Sequence, residues 1–317
     1  MGTYVRTQTI DHTVGERGSV SLGFNDGDVQ ARGVAGGEAH VRATFELRAA
    51  SEAEADRIFE SVQLRVSRGT GELTVSEQKH LPSFGSVIST ILGGSSRAHL
   101  TVEAEIPAAA RLHLASVSAD SEVSGMRGEQ RYSTVSGDIQ LRDVGGSVRL
   151  DAVSGDTNLR TDEPLAVEAQ GVSGDVSIMA PLLRSLNAHT VSGDVELEAK
   201  LDARGDFRVE TVSGDLVVGL IGSAMFEVHG LSTDVRSELD HRLEGQVDRR
   251  RLIIGSGGPR LVFNSMSGDV NVRRPRRVMP LDKASGPPPA SQLEVLRALE
   301  RGEIDVDEAT RRLAGGS

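Results

Sequence analysis

A carboxylate returns along this chain at nearly constant intervals, always in the same company. Val191-Ser192-Gly193-Asp194 has close copies at Val135 to Asp138, Val153 to Asp156, Val172 to Asp175 and Val212 to Asp215. Looser copies end at Asp120, Asp234 and Asp269. Three kinds of chemistry suit these residue types. The hydroxyl and carboxylate could act on a bound substrate. Stacked carboxylates could share a hard cation such as calcium, which takes oxygen ligands. Or Ser and Asp could bond nearby backbone N–H groups around a Gly that supplies a positive φ, making a corner. Asp138, Asp156, Asp175, Asp194 and Asp215 are the candidate ligands. Gly137, Gly155, Gly174, Gly193 and Gly214 are the candidate turn glycines.

No other part of the chain completes a catalytic set. The eight His residues show no H-x-x-x-H or HExxH spacing. His189 and His229 each precede a corner and could meet across coils as a metal pair, although surface histidines are the default reading. There is no G-x-S-x-G elbow, and Gly36-Gly37 and Gly257-Gly258 lack the Lys-Ser/Thr ending of a phosphate loop. The absence of Cys excludes disulfides and thiolate metal sites. With no Trp and two Tyr, an aromatic-lined groove is hard to build. The net charge of -11 argues against a nucleic-acid partner. Two basic clusters, Arg249 to Arg251 and Arg273 to Arg277, run against that trend and could touch anionic lipid or an acidic partner. The expectation is a protein with no catalytic residue, no cofactor and no firm metal site.

The elements that carry the corners follow from the spacing. The phrases end at 120, 138, 156, 175, 194, 215, 234 and 269, giving steps of 18, 18, 19, 19, 21, 19 and 35. The last step is close to two ordinary ones, so a corner without its signature is expected near Val247 to Arg251. Between corners apolar residues alternate, as in Val195, Leu197 and Ala199, or Phe207 and Val209. Period-2 patterning means half-buried strands, two per unit. A fixed unit with recurring corners predicts a β-solenoid of stacked coils, about 18–21 residues each; an antiparallel meander of the same period is the alternative.

Stacking at about 4.8 Å puts the carboxylates in a column in which neighbours repel by roughly 1 kcal/mol in water. The column persists if each carboxylate accepts backbone N–H bonds, splays into solvent or shares a cation. The hydrogen-bonded corner is preferred over the cation ladder, and Gly193→Val is expected to cost a few kcal/mol by demanding a positive φ.

The stretch HLTVEAEIPAAARLHLASVSADSEVSGMRGEQRYSTVSGDIQLRDVGGSVRLDAVSGD, residues 99 to 156, resembles the bacterial "putative adhesin" family of β-strand repeats, also called the toastrack or Lia-type domain. That family opens on an "EIP" strand, here Glu105-Ile106-Pro107, and continues with serial "SGD" corners and a "G.V" turn, here Gly145 to Val148. The resemblance extends over roughly residues 15 to 275. It implies a right-handed parallel β-helix-like stack with no established catalytic residues, in a family whose members often accompany cell-envelope stress systems.

The expected organisation is a strand-helix-strand capping region over 1–110, of α+β type, with a helix opening at the capping box Ser51-Glu52-Ala53-Glu54. The repeat stack follows over 111–277, then a Pro/Gly linker over 278–290 and two short amphipathic helices over 291–317. Leu293, Leu296 and Leu299 share one face of the first helix, and Ile304 precedes the second. This pair resembles the SHOCT-type bihelical modules that other family members carry, which implies self-association or partner docking. Residues 81 to 96 form an apolar insert with Phe84 and Ile88, which could touch a partner or a membrane. No window approaches 18 uninterrupted apolar residues and no signal-peptide core is visible, so a cytoplasmic or membrane-peripheral protein is expected. Taken together, the chain reads as a non-catalytic scaffold; a self-assembling filament protein and a weak calcium-binding adhesin are the alternatives.

Overall fold

The computed structural model describes residues 2–77, 98–246 and 249–276. All belong to the first of two compact units, Met1–Arg277 and Val278–Ser317. Along the chain come β1 (Gly2–Thr13), β2 (Ser19–Phe24), β3 (Asp28–Val34), β4 (Glu38–Ala49), α1 (Glu52–Ser61), β5 (Leu64–Gly69), β6 (Glu72–Glu77) and β7 (Ala98–Pro107). The repeats supply β8 (Arg111–Ser116), β9 (Asp120–Ser124), β10 (Glu129–Thr134), β11 (Ile139–Arg142), β12 (Gly146–Ala152), β13 (Thr157–Arg160), β14 (Leu165–Gly171) and β15 (Val176–His189). They continue as β16 (Val195–Leu201), β17 (Phe207–Glu210), β18 (Leu216–Leu220), β19 (Ala224–Gly230) and β20 (Val235–Ser237). The described chain closes with β21 (His241–Gln246), β22 (Arg249–Ile254), β23 (Arg260–Ser265) and β24 (Val270–Arg273).

Each corner phrase joins a strand of a front ladder to a strand of a back ladder. In the front ladder β6, β2, β8, β10, β12, β14, the second half of β15, β17, β23 and β19 follow one another, all in parallel. In the back ladder β7, β3, β9, β11, β13, the first half of β15, β16, β18, β24 and β20 do the same. Because β15 runs through both ladders, the 24 strands form one continuous sheet that wraps nearly closed, like a barrel, around the core. The inward positions are those of the period-2 pattern. Ile139, Leu141, Val148, Leu150, Leu197, Phe207 and Leu216 are all at most 2 % exposed, and each such burial contributes roughly 1.5–3 kcal/mol. One polar pair sits among them: the Tyr132 hydroxyl donates to Gln130 Oε1 at 2.9 Å, and the Gln130 amide donates to the Gly145 carbonyl.

Several expectations are corrected here. The fold is not a parallel stack preceded by a separate α+β region. β2 and β3 already form a complete coil, slotted between the β6–β7 and β8–β9 pairs, so the N-terminal strands belong to the same sheet. Nor is the sheet purely parallel. Antiparallel strands cover three of the four ladder ends: β4 and β1 on β7, β5 on β6, and β22 and β21 on β19, while β20 pairs only with β24 among the described residues. Such edges would otherwise present unpaired backbone groups. The described residues hold a single α-helix, which opens as its capping box predicts, with Ser51 Oγ accepting from the Glu54 N–H at 3.3 Å and Glu54 returning to the Ala50 N–H at 2.9 Å. The helical pair expected over 291–317 lies outside the described residues.

The 35-residue step is not a coil that lost its signature. The chain leaves β20, runs the antiparallel hairpin β21–β22 along the front, and then comes back. It returns between existing coils: β23 inserts between β17 and β19, and β24 between β18 and β20. The order of corners along the stack is therefore 194, 215, 269, 234.

Candidate functional site

The corners build one continuous column. The backbone N–H of Asp138 donates to Asp120 Oδ1, that of Asp156 to Asp138, Asp175 to Asp156 and Asp194 to Asp175, each at 2.9 Å. The series continues through Asp215 to Asp194 at 2.8 Å, Asp269 to Asp215 at 2.7 Å and Asp234 to Asp269 at 2.8 Å. One carboxylate oxygen per rung is thus committed to the next rung's backbone, which offsets the repulsion between neighbours. Asp234 and Asp269 also meet Arg236, at 3.1 and 3.8 Å. Among the described residues no Lys or Arg pairs with Asp175, Asp194 or Asp215. No group of three or more His, Asp or Glu among them is placed to hold a metal ion.

The glycines are required for two reasons rather than the single one expected. Gly155 and Gly174 take φ of 123° and 124°, but Gly137, Gly193 and Gly214 lie outside the left-handed region. At Gly193 the constraint is close approach: a Cβ there would stand 2.0 Å from the carbonyl oxygen of Gly174. The Gly193 N–H instead donates to Thr190 Oγ1 at 3.1 Å, and the Gly214 N–H to Thr211 Oγ1 at 2.9 Å. A first corner, Asn25 to Asp28, went unread in the sequence; the Asp120 N–H donates to the Gly27 carbonyl, and Gly27 has φ 118°. Its Asn-Asp-Gly-Asp composition was the available signal.

The first letter of the phrase points outward. Val172, Val191 and Val212 are 47, 45 and 44 % exposed, Met266 is 56 % and Leu231 76 %. With the corner order of the stack these five stand on consecutive rungs. They account for five of the seven large exposed hydrophobic side chains among the described residues. Two residues earlier on each rung, the front ladder sets Gln170, His189, Glu210, Asn264 and His229 side by side. His189 Nδ1 lies 3.0 Å from Glu210 Oε2, and Asn264 Nδ2 donates to Glu210 Oε1 at 3.0 Å. The two histidines are three rungs apart, about 14 Å at the usual strand spacing, so they do not form a metal pair. An open groove of about 630 Å³ runs between this polar row and the apolar column, lined by His189, Glu210, Val212, Asn264, Met266 and Leu231 among others. The alternation Asn187, His189, Val191 already places Val191 outward by the period-2 rule, so this column was readable before the structure.

Other charged clusters lie on the outer faces. On the covering strand β4, His40 Nδ1 meets Asp11 at 2.7 Å and its Nε2 lies 3.7 Å from Glu38; the Asp11 hydrogen bond, with the nearby acids, raises the His40 pKa. On the front ladder burial, then Arg131, pushes His113 below its ordinary value. Asp151 is buried beneath Arg131, at 2.8 Å, and Arg149, at 3.5 Å. The basic clusters are largely answered locally. Arg251 and Arg260 meet Glu227 at 3.2 and 2.7 Å, and Arg273 bridges Glu196 and Glu198. Among the described residues no Ser or Thr hydroxyl hydrogen-bonds a His, so no nucleophile–base pair is assembled there. Phe84, Ile88, Leu293, Leu296, Leu299 and Ile304 lie outside the described residues.

These features define a repeat protein of the β-solenoid class, with a filled core and its chemistry confined to the outer surface. Residues 100–185 match the family model of Toastrack DUF4097, so this stretch is a toastrack domain, as the serial corners indicated. No curated protein matches the chain. Among solved structures it is similar to a "putative lipid binding protein" from Parabacteroides distasonis ATCC 8503, at 10 % identity over 84 % of this chain and 96 % of that one, with a TM-score of 0.38. A "putative adhesin" from Bacteroides fragilis NCTC 9343 is similar at 12 % identity, 84 % and 97 % coverage and a TM-score of 0.37. A "putative cell adhesion protein" from Clostridium sporogenes ATCC 15579 gives 12 %, 85 %, 100 % and 0.25. With TM-scores below 0.5, these likenesses carry no further argument. No helix among the described residues is long and apolar enough to cross a membrane.

Proposed function

We propose that the protein is a non-catalytic scaffold that holds other chains along its outer surface and associates through its C-terminal segment. The observation that carries this reading is the exposed apolar column bordered by carboxylates, on a stack whose interior is filled by its own side chains. A surface of that kind suits docking rather than turnover. The family resemblance supports a place in the envelope-stress response, and the apolar-segment pattern of the sequence supports a cytoplasmic or membrane-peripheral one. The helical spacing of Leu293, Leu296 and Leu299 supports self-association through residues 291–317.

Light scattering coupled to size-exclusion chromatography tests the reading, on the full chain and on a chain ending at Arg277, each with calcium and with chelator. A discrete oligomer for the full chain and a monomer for the shorter one is the expected result. An oligomer that dissolves on chelation would instead favour the calcium-binding adhesin. Two chains of identical, monomeric behaviour would overturn association through the tail.

A further inference from the structure

We infer that the corner column from Val172 to Leu231 is a docking strip for a short basic, amphipathic α-helix of a partner protein. The inference rests on the scaffold reading and names the kind of partner it takes.

Geometry sets the first requirement. Val172, Val191, Val212, Met266 and Leu231 cover five rungs, hence four steps of about 4.8 Å, or roughly 19 Å. Along this flank the backbone groups of each corner point up or down the stack; the N–H of Ser192 bonds Val172, that of Ser213 bonds Val191, and that of Ser267 bonds Val212. An incoming segment finds no free strand edge here and must satisfy its own backbone, which an α-helix does. About 13 helical residues span 19 Å, enough for three or four apolar side chains on one face. Met266, Leu231 and Val212 border the groove of about 630 Å³, which can receive one of them.

Charge selects among possible occupants. Three residues beyond each apolar side chain stands a carboxylate, and those of Asp175, Asp194 and Asp215 have no ion-pair partner among the described residues. Glu210 borders the opposite side. Two copies laid strip to strip would bring carboxylate columns together, and an anionic lipid surface or nucleic acid would meet the same repulsion. A helix with Lys or Arg along one flank of its apolar face neutralises the column instead.

The test uses the full-length protein and a labelled synthetic peptide of about 13 residues, with Leu at i, i+3, i+4 and i+7 and Lys on one flank. Fluorescence anisotropy is expected to show binding that weakens at high salt. Val212→Ser with Met266→Ser should weaken it about tenfold or more, because truncating anchors at the centre of an interface dominates affinity. Asp194→Asn with Asp215→Asn keeps the Oδ1 acceptors of the column while removing two charges. It should weaken binding and flatten the salt dependence at an unchanged melting midpoint. Equal binding of a scrambled peptide, or of one with Glu in place of Lys, would overturn the inference. So would capture by phosphatidylglycerol vesicles lost in the Val212/Met266 variant, or a dimer of the protein lost in that variant. Loss of the tail-dependent oligomer would sink the scaffold reading; a tail-dependent oligomer without peptide affinity would sink only the strip.

Discussion

At the residue scale, the corner exists in two conformations, and a hydroxyl three positions before the glycine selects between them. Where that position holds Phe24, Ala152 or Gly171, the glycines 27, 155 and 174 take φ of 118°, 123° and 124°. Where it holds Thr134, Thr190, Thr211 or Ser265, the N–H of Gly137, Gly193, Gly214 or Gly268 donates to the hydroxyl at 2.7–3.1 Å and the left-handed φ is absent. Thr190→Ala should therefore send Gly193 to a φ near that of Gly174 and cost about 1 kcal/mol for the lost bond. A crystal structure of the variant reads the first and a melting midpoint the second. A Gly193 that keeps its conformation without the hydroxyl would show that the neighbouring coils, not Thr190, set the corner. Gly193→Val still fails in this account, through the 2.0 Å approach to the Gly174 carbonyl rather than through φ. The sequence showed that glycine is needed here. The reason for it belongs to the coil below, 19 residues earlier, and is invisible in the corner itself.

At the element scale, the strands and their alternation were legible because each obeys the same period-2 pattern against the same core. The order in which the coils stack was not legible. Every unit presents Val, Leu, Phe or Ala inward, so one coil fits beside any other, and sequence neighbours are only the default partners. What decides is the connection. Between β18 and β19 the chain has three residues, Ile221 to Ser223, whereas the long excursion through β21 and β22 gives Pro259 the reach to start a coil between two older ones. The inserted coil then becomes the sole link of β20 to the back ladder. A chain ending at Gly258 should accordingly lose amide protection in β20 and on the edge of β19 that faces β23. In that chain β22 still covers the other edge of β19, and β16 to β18 stay partly protected by the coils before them. In a stack built in sequence order, β19 would rest directly on β17 and keep its protection. Hydrogen exchange on the two chains separates these outcomes.

At the scale of the whole unit, the remaining question is why a stack of interchangeable coils stops. A bare end would offer two unpaired strands to another copy, which is the physical content of the filament alternative. The N-terminal end closes this with β1, which lies antiparallel along all twelve residues of β4 and is itself mostly exposed. Arg6 holds it in place, reaching Asp56 of α1 at 2.9 Å while lying 4.6 Å over the ring of Phe59. The sequence of β1 does differ from that of a coil strand: only Ile10 is buried and the polar run around it lacks an alternating apolar face, which was the available signal for a covering strand. Deleting residues 2–13 should expose β4, whose inner face from Ala39 to Ala49 is buried at every second position, as a long, flat edge. Species that grow with concentration are then expected in light scattering, beyond anything the parent chain forms at the same concentration. If the deleted chain stays the size of its parent, the β4 edge is harmless and termination lies in the coils themselves. That result would also count against the filament reading, because a stack whose bared edge adds no copies has no route to end-to-end growth there.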